Sequence, residues 1–253
     1  MKKPSALFKI FNPPGDTRLR VNPTTAFPFK CIGQIISTFG PNQVYSGTGM
    51  LLDEYHVLTC AHNIFNNQTG KLVKHVTFGC ARNGNVYPYG NPIAAADVFI
   101  PDDYRMSRPP NPNDPDFNPA EITSYLADYG VIRLAHAVNN GVPLGNYPAL
   151  MAATNQQLNV ALNIIGYPGD KPHTMWGASG PVATPDDPFL LYRMATLNGQ
   201  SGASVTRQFQ NQPNNNWTGI VGIHVAGSTN PAVNTNFAVR VTQEVINAVN
   251  AWM

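Results

Sequence analysis

The segment Gly199-Gln200-Ser201-Gly202-Ala203 sets an alcohol between small residues, and Thr59-Cys60-Ala61-His62 and Asp128-Tyr129-Gly130-Val131-Ile132-Arg133-Leu134 lie upstream of it, giving the chain order His, Asp, Ser. A serine hydroxyl is a poor nucleophile at neutral pH. To attack a carbonyl it needs an imidazole to take its proton and a carboxylate to hold that imidazole in one tautomer. His62, Asp128 and Ser201 supply the three parts of that acyl-transfer chemistry.

Local settings separate these residues from others of their type. Ser201 lies on a Gly-flanked stretch able to turn tightly, so that backbone N-H groups can face a developing oxyanion. His62 follows the strand-like run Tyr55 to Thr59 and two small residues, which suits a general base at the mouth of a cleft. His56, His75, His136 and His173 have no comparable setting and read as structural. Asp128 opens a buried-looking strand where a lone carboxylate needs a strong partner, whereas Asp102, Asp103, Asp114 and Asp116 lie in polar or Pro-rich surroundings that suit turns. No His-x-x-x-His, Cys-x-x-Cys or clustered-carboxylate spacing occurs, and no phosphate-cradling loop. The expectation is therefore no metal and no cofactor.

These residues need a scaffold of many short elements. Gly (21) and Pro (23) are frequent and charged residues make only 12% of the 253, a balance that favours turns and short strands over long charge-laced helices. Apolar or alternating runs at Phe29 to Ile36, Gly49 to Leu52, His56 to Thr59 and Val73 to Phe78 form a first set, with Gly40-Pro41-Asn42 and Asn66 to Gly70 as turns. A second set runs Leu158 to Ile165, Phe189 to Met194, Ala203 to Arg207, Gly219 to Val225 and Asn236 to Val241. Two bodies of short strands predict an all-β protein of paired barrels or a sandwich. The proline-rich stretch between Ser107 and Glu121 cannot sustain a strand ladder and is expected to be an exposed loop; Gln208 to Asn216 is expected at a hairpin tip. Thr242 to Trp252 places Val245, Ile246, Val249 and Trp252 on one face of a short helix that Thr242 can cap.

The formal charge of +2 and scattered basic residues leave no nucleic-acid footprint, and no apolar run approaches the roughly 20 residues that span a bilayer. The partners expected are protein or peptide substrates, with no nucleic acid and no membrane, for a monomer. Cys31, Cys60 and Cys80, an odd number, read as buried, unreactive thiols rather than a disulfide framework. Lys9 interrupts the apolar stretch after Met1, so the start does not read as a secretion signal. The chain is expected to be cytoplasmic if native from Met1 and secreted if a leader has been removed.

With these residues in place the chain resembles the chymotrypsin-like serine proteases, and within them the bacterial glutamyl endopeptidases, from Asp16 to Trp252. Beyond the His62, Asp128 and Ser201 segments, the similarity is carried by Thr24-Thr25-Ala26-Phe27-Pro28-Phe29, Arg82-Asn83-Gly84, Tyr87-Pro88-Tyr89-Gly90, Phe99-Ile100-Pro101, Gly166-Tyr167-Pro168-Gly169-Asp170-Lys171 and Ser179-Gly180-Pro181. The resemblance implies two six-stranded antiparallel barrels with the active site between them: an extension over 1–15, a first barrel over 16–140 carrying His62 and Asp128, a second over 141–241 carrying Ser201, and a helix over 242–253. It implies an oxyanion hole from the backbone N-H groups of Gly199 and Ser201. Ala195 stands where trypsin-type relatives hold an aspartate, whereas Thr196 and His224 occupy the places of the threonine and histidine that bind a substrate glutamate. Some family members mature to a new N-terminus whose ammonium also binds that glutamate; the corresponding region here reads Asn12-Pro13-Pro14-Gly15, behind an 11-residue extension. The expected activity is a serine endopeptidase with a preference for Glu on the acyl side. The rivals are a preference for Asp or small residues, and a non-catalytic binding protein built on the protease shell.

Overall fold

In the computed structural model, residues 15–107, 123–184, 188–209, 217–227 and 235–253 are described. The expected loop between Ser107 and Glu121, the tip of the Gln208 to Asn216 stretch and nearly all of the N-terminal extension lie outside them.

Six antiparallel strands close into a barrel in the first half: β2 (Ile32–Gly40), β3 (Gln43–Leu51), β4 (His56–Thr59), β7 (His75–Cys80), β8 (Ile93–Phe99) and β9 (Gly130–Leu134), in the order β2-β3-β4-β9-β8-β7. A two-stranded ribbon, β5 (Phe65–Asn66) with β6 (Lys71–Leu72), lies outside the barrel sheet. The β2–β3 hairpin turns through Pro41 and Asn42, with Gly40 facing Gln43. Proline presets the first turn position, and Asn42 at φ 60° takes the left-handed second one, where asparagine is tolerated. The barrel strands bury Ile35, Met50, Val57, Leu58, Phe78 and Ile132, with β4 buried on both of its faces.

The second half builds an open nine-stranded sheet. Its path is β1 (Leu19–Arg20), β12 (Trp176–Gly180), β11 (Leu162–Gly166), β15 (Ser204–Phe209), β16 (Trp217–Gly227), β17 (Asn236–Arg240), β14 (Phe189–Tyr192) and β13 (Val182–Thr184), with β10 (Ala149–Leu150) beside β16. Two features depart from a pair of closed antiparallel barrels. Among the described residues this sheet does not close, and the β10–β16 pair is parallel. The strand β1, near the start of the chain, pairs with β12 of this second sheet. The fold is nonetheless the expected all-β architecture with a C-terminal helix, its second expected barrel present as a half-barrel.

That helix spans Gln243–Asn250, with the Thr242 side chain accepting from Val245 N at 3.4 Å. Val245 and Val249 are buried against the first core, and Trp252 stacks on Phe99 (6.3 Å between centroids) and lies 5.9 Å from Tyr129. The helix thus buttresses β9 just beyond Asp128. Among the described residues, no helix is long and apolar enough to cross a membrane.

Candidate active site

His62 stands on a single 3-10 turn, Ala61–Asn63, directly after β4. Its ring Nδ1 lies 2.7 Å from Asp128 Oδ2, and its backbone N-H donates to Asp128 Oδ1 at 3.0 Å. One residue therefore engages both oxygens of a carboxylate that is only 2% exposed, which meets the demand for a strong partner made by the position of Asp128. Burial is the largest single influence and disfavours the imidazolium, but the Asp128 carboxylate, with Cys60 beside the ring, holds His62 well above the usual histidine range. With Nδ1-H directed at Asp128, Nε2 is the basic nitrogen, and the Cys60 sulfur lies 3.4 Å from it. Burial is the first cause that raises the Cys60 thiol beside it.

Ser201 sits between two successive turns. Gln200 N donates to Leu197 O and Ala203 N to Gln200 O, each at 2.9 Å, and Gly199 (φ +98°) and Gly202 (φ +83°) hold the third position of each turn. That position suits glycine. Space forbids a side chain as well: a Cβ on Gly199 would lie 2.4 Å from Tyr167 O, and one on Gly202 would lie 2.4 Å from Thr48 O. Among the described residues, neither the Gly199 nor the Ser201 amide has a backbone acceptor. The Gln200 side chain, fully buried, closes the first turn by accepting from Leu197 N at 2.8 Å.

Contacts between the sheets bring His62 and Ser201 into one neighbourhood. Asn63 Nδ2 donates to Ser201 O at 2.9 Å, Thr48 N donates to the same oxygen at 2.9 Å, and Thr48 Oγ1 donates to Gly199 O at 2.8 Å. The Ser201 hydroxyl itself makes no hydrogen bond to a described residue. Catalytic hydrogen bonds in ligand-free sites are often long and tighten when substrate arrives.

Ser201 also lines a narrow cleft with Thr196, Leu197, Asn198 and His224. The His224 backbone is locked beside the Ser201 loop, accepting from Gly202 N at 2.8 Å and donating to Ala203 O at 2.9 Å. Its ring Nδ1 lies 2.6 Å from Tyr192 Oη. Burial, helped by the nearby His62 charge, brings the His224 pKa down to about 3, so the ring is neutral. By contrast, His56 is tied to Asp53 at 2.8 Å and His173 lies 3.2 Å from Gln34 Oε1, both outside this cleft.

No protein-family model matches the chain. It is 32% identical over 238 residues, covering 94% of this chain and 67% of the relative, to a glutamyl endopeptidase of Bacillus licheniformis. The chain belongs to the glutamyl endopeptidase family. A Bacillus subtilis protein named extracellular metalloprotease is 28% identical over 94% of this chain and 68% of its own. A solved Glu endopeptidase structure superposes with a TM-score of 0.72 at 25% identity, covering 94% of this chain and 97% of the other. As a glutamyl endopeptidase family member with the chymotrypsin-like fold, the chain is a serine endopeptidase.

Sequence reasoning missed the side chains that hold this family member's site together. Thr48, Asn63, Gln200 and Tyr192 carried no signal of their own type, although Asn63 adjoins His62 and Gln200 adjoins Ser201. It also missed the Arg18 clamp. The buried Arg18 guanidinium contacts Asp16 at 2.8 and 2.9 Å and Asp170 at 2.9 and 2.6 Å. Asp170 follows Gly169, whose amide bonds Asn198 O at 2.6 Å, so the clamp ties the start of the described chain to the Ser201 loop.

Proposed function

We propose that Ser201 attacks the scissile carbonyl while His62 Nε2 takes its proton, Asp128 stabilises the resulting imidazolium, and the Gly199 and Ser201 amides bind the oxyanion. His62 then protonates the leaving amine, and a water activated by the same nitrogen hydrolyses the acyl-enzyme. The observation that carries this reading is the 2.7 Å His62–Asp128 contact, tied through Asn63 to a serine held between two glycine turns. The Cys60 thiol must yield the face of Nε2 to the serine hydroxyl as substrate binds.

The acyl-side residue we assign to the cleft is glutamate. Thr196 and His224 share that cleft with Ser201, and a hydroxyl and an imidazole N-H can both donate to a carboxylate. Cys60, His62 and Asp128 also bring possible metal donors within 4.8 Å of one another, but both Asp128 oxygens are already engaged by His62, which favours the triad role. We place the action outside the cell, where the name of the Bacillus subtilis relative places that protein.

Peptide-library profiling tests the assignment. The wild type should cleave after Glu, Ser201→Ala should abolish cleavage, and His224→Ala should flatten the preference. Cleavage by the wild type after other residues, unaltered by His224→Ala, would remove His224 from the role.

A further inference from the structure

The Tyr192 hydroxyl makes a single described hydrogen bond, to His224 Nδ1 at 2.6 Å, and Tyr192 is fully buried. A phenol can donate to an unprotonated Nδ1 or accept from Nδ1-H. In the second case its own proton would point at no acceptor among the described residues, and a buried unsatisfied donor costs about 1–3 kcal/mol. Tyr192 is therefore the donor and His224 Nδ1 the acceptor. A neutral ring with its lone pair on Nδ1 carries its proton on Nε2, the nitrogen that Tyr192 does not engage, on a ring that lines the cleft. The low pKa of about 3 agrees with that neutral state, and burial is its first cause. The Phe237 carbonyl near the ring works weakly the other way.

We infer that Tyr192 is a specificity-positioning residue: its hydroxyl fixes His224 as the Nε2-H tautomer and so presents one oriented, uncharged donor to the acyl-side side chain. The inference rests on the reading that Thr196 and His224 receive a glutamate. It adds that selection comes from the direction of a hydrogen-bond donor and not from a positive charge in the cleft. Thr196 supplies the second neutral donor; its hydroxyl has no hydrogen-bond partner among the described residues, though Thr196 is only 2% exposed. Glu and Gln differ by one group, and a misplaced tautomer confuses them: an unprotonated Nε2 repels a carboxylate and accepts from a carboxamide N-H.

Tyr192→Phe removes the hydroxyl and keeps the ring. Paired peptides differing only in Glu or Gln at the acyl position should show the Glu:Gln ratio of kcat/KM falling about 10-fold, through KM for the Glu peptide, at a matched melting temperature. Nitrogen-15 NMR of the imidazoles should show the wild-type His224 as Nε2-H and the variant as a tautomer mixture. A ratio that stays the same, or equal losses on both peptides, would overturn the inference and leave Glu preference standing. If the wild type does not cleave after Glu, the reading of the cleft fails, and the NMR still decides which tautomer Tyr192 fixes; a wild-type Nδ1-H would overturn the inference.

Discussion

Asn63 follows His62 in the chain, and its side-chain amide donates to the Ser201 carbonyl at 2.9 Å while also reaching Thr59 Oγ1 at 2.9 Å. One side chain therefore ties the turn that carries the proposed base directly to the loop that carries the proposed nucleophile. Asn63→Ala leaves the Ser201 carbonyl with only the Thr48 amide and frees the loop to drift. The expected loss in kcat is about 10-fold, roughly the 1.4 kcal/mol that one hydrogen bond supplies. Steady-state kinetics on a peptide ester checks this, and an unchanged kcat would show that the loop does not rely on Asn63.

The proposed role of His62 as base needs its neutral ring, and Asp128 helps hold its pKa well above the ordinary value. The acid limb of the kcat/KM profile should therefore lie above pH 6.5, with activity rising as pH increases through it. Asp128→Asn removes the charge that raises the pKa, so the limb should move to lower pH while kcat falls on the order of 10⁴-fold from loss of the tautomer. A limb that does not move would mean that another group controls ionisation.

Gly199→Ala meets Tyr167 O at 2.4 Å, a backbone atom that cannot swing aside, and places a side chain at φ +98°. The turn must open, and with it the proposed oxyanion site. A loss of about 100-fold in kcat is expected with the fold retained, as for removal of one oxyanion donor. Circular dichroism alongside kinetics separates loss of chemistry from loss of structure.

The buried Arg18 holds Asp16 and Asp170, whose side chains are 35% and 37% exposed. Arg18→Met should cost about 2 kcal/mol, below the 3–5 typical of a broken buried pair, because both acids can rehydrate. Arg18 holds Asp16 far below the usual carboxylate range. Its contribution is thus complete above the ordinary aspartate pKa and is lost as pH falls below it. Urea titrations at pH 7 and pH 3 should show the gap between wild type and variant narrowing at the lower pH.

Cys31, Cys60 and Cys80 are all free and at most 4% exposed, and burial is the first cause raising each thiol, Cys31 to about 12. A thiol-reactive dye at pH 8 should modify none in the native protein and all three in denaturant.

Much of the fold was legible because alternation and turn chemistry act locally. His56–Thr59 and the Thr242 cap fall where the pattern puts them. Misplacements have local causes. Phe29–Cys31 winds into a 3-10 turn, so the strand expected from Phe29 starts at Ile32. The Thr154–Gln157 capping box pulls Leu158 into a helical turn, so the strand expected from Leu158 begins at Leu162. The three candidate catalytic residues were readable because their chemistry demands particular side chains. Thr48, Asn63 and Tyr192 were not, since an ordinary polar residue acquires its task only when a distant segment arrives within hydrogen-bond range.

The proposed chemistry requires Ser201 to be a nucleophile activated by His62. Intact-mass spectrometry after treatment with a fluorophosphonate tests it directly. One adduct, mapped to Ser201, formed by the wild type and lost in both Ser201→Ala and His62→Ala, is the outcome expected. A wild-type protein that cleaves peptides yet takes no adduct, or takes it on another residue, would contradict it.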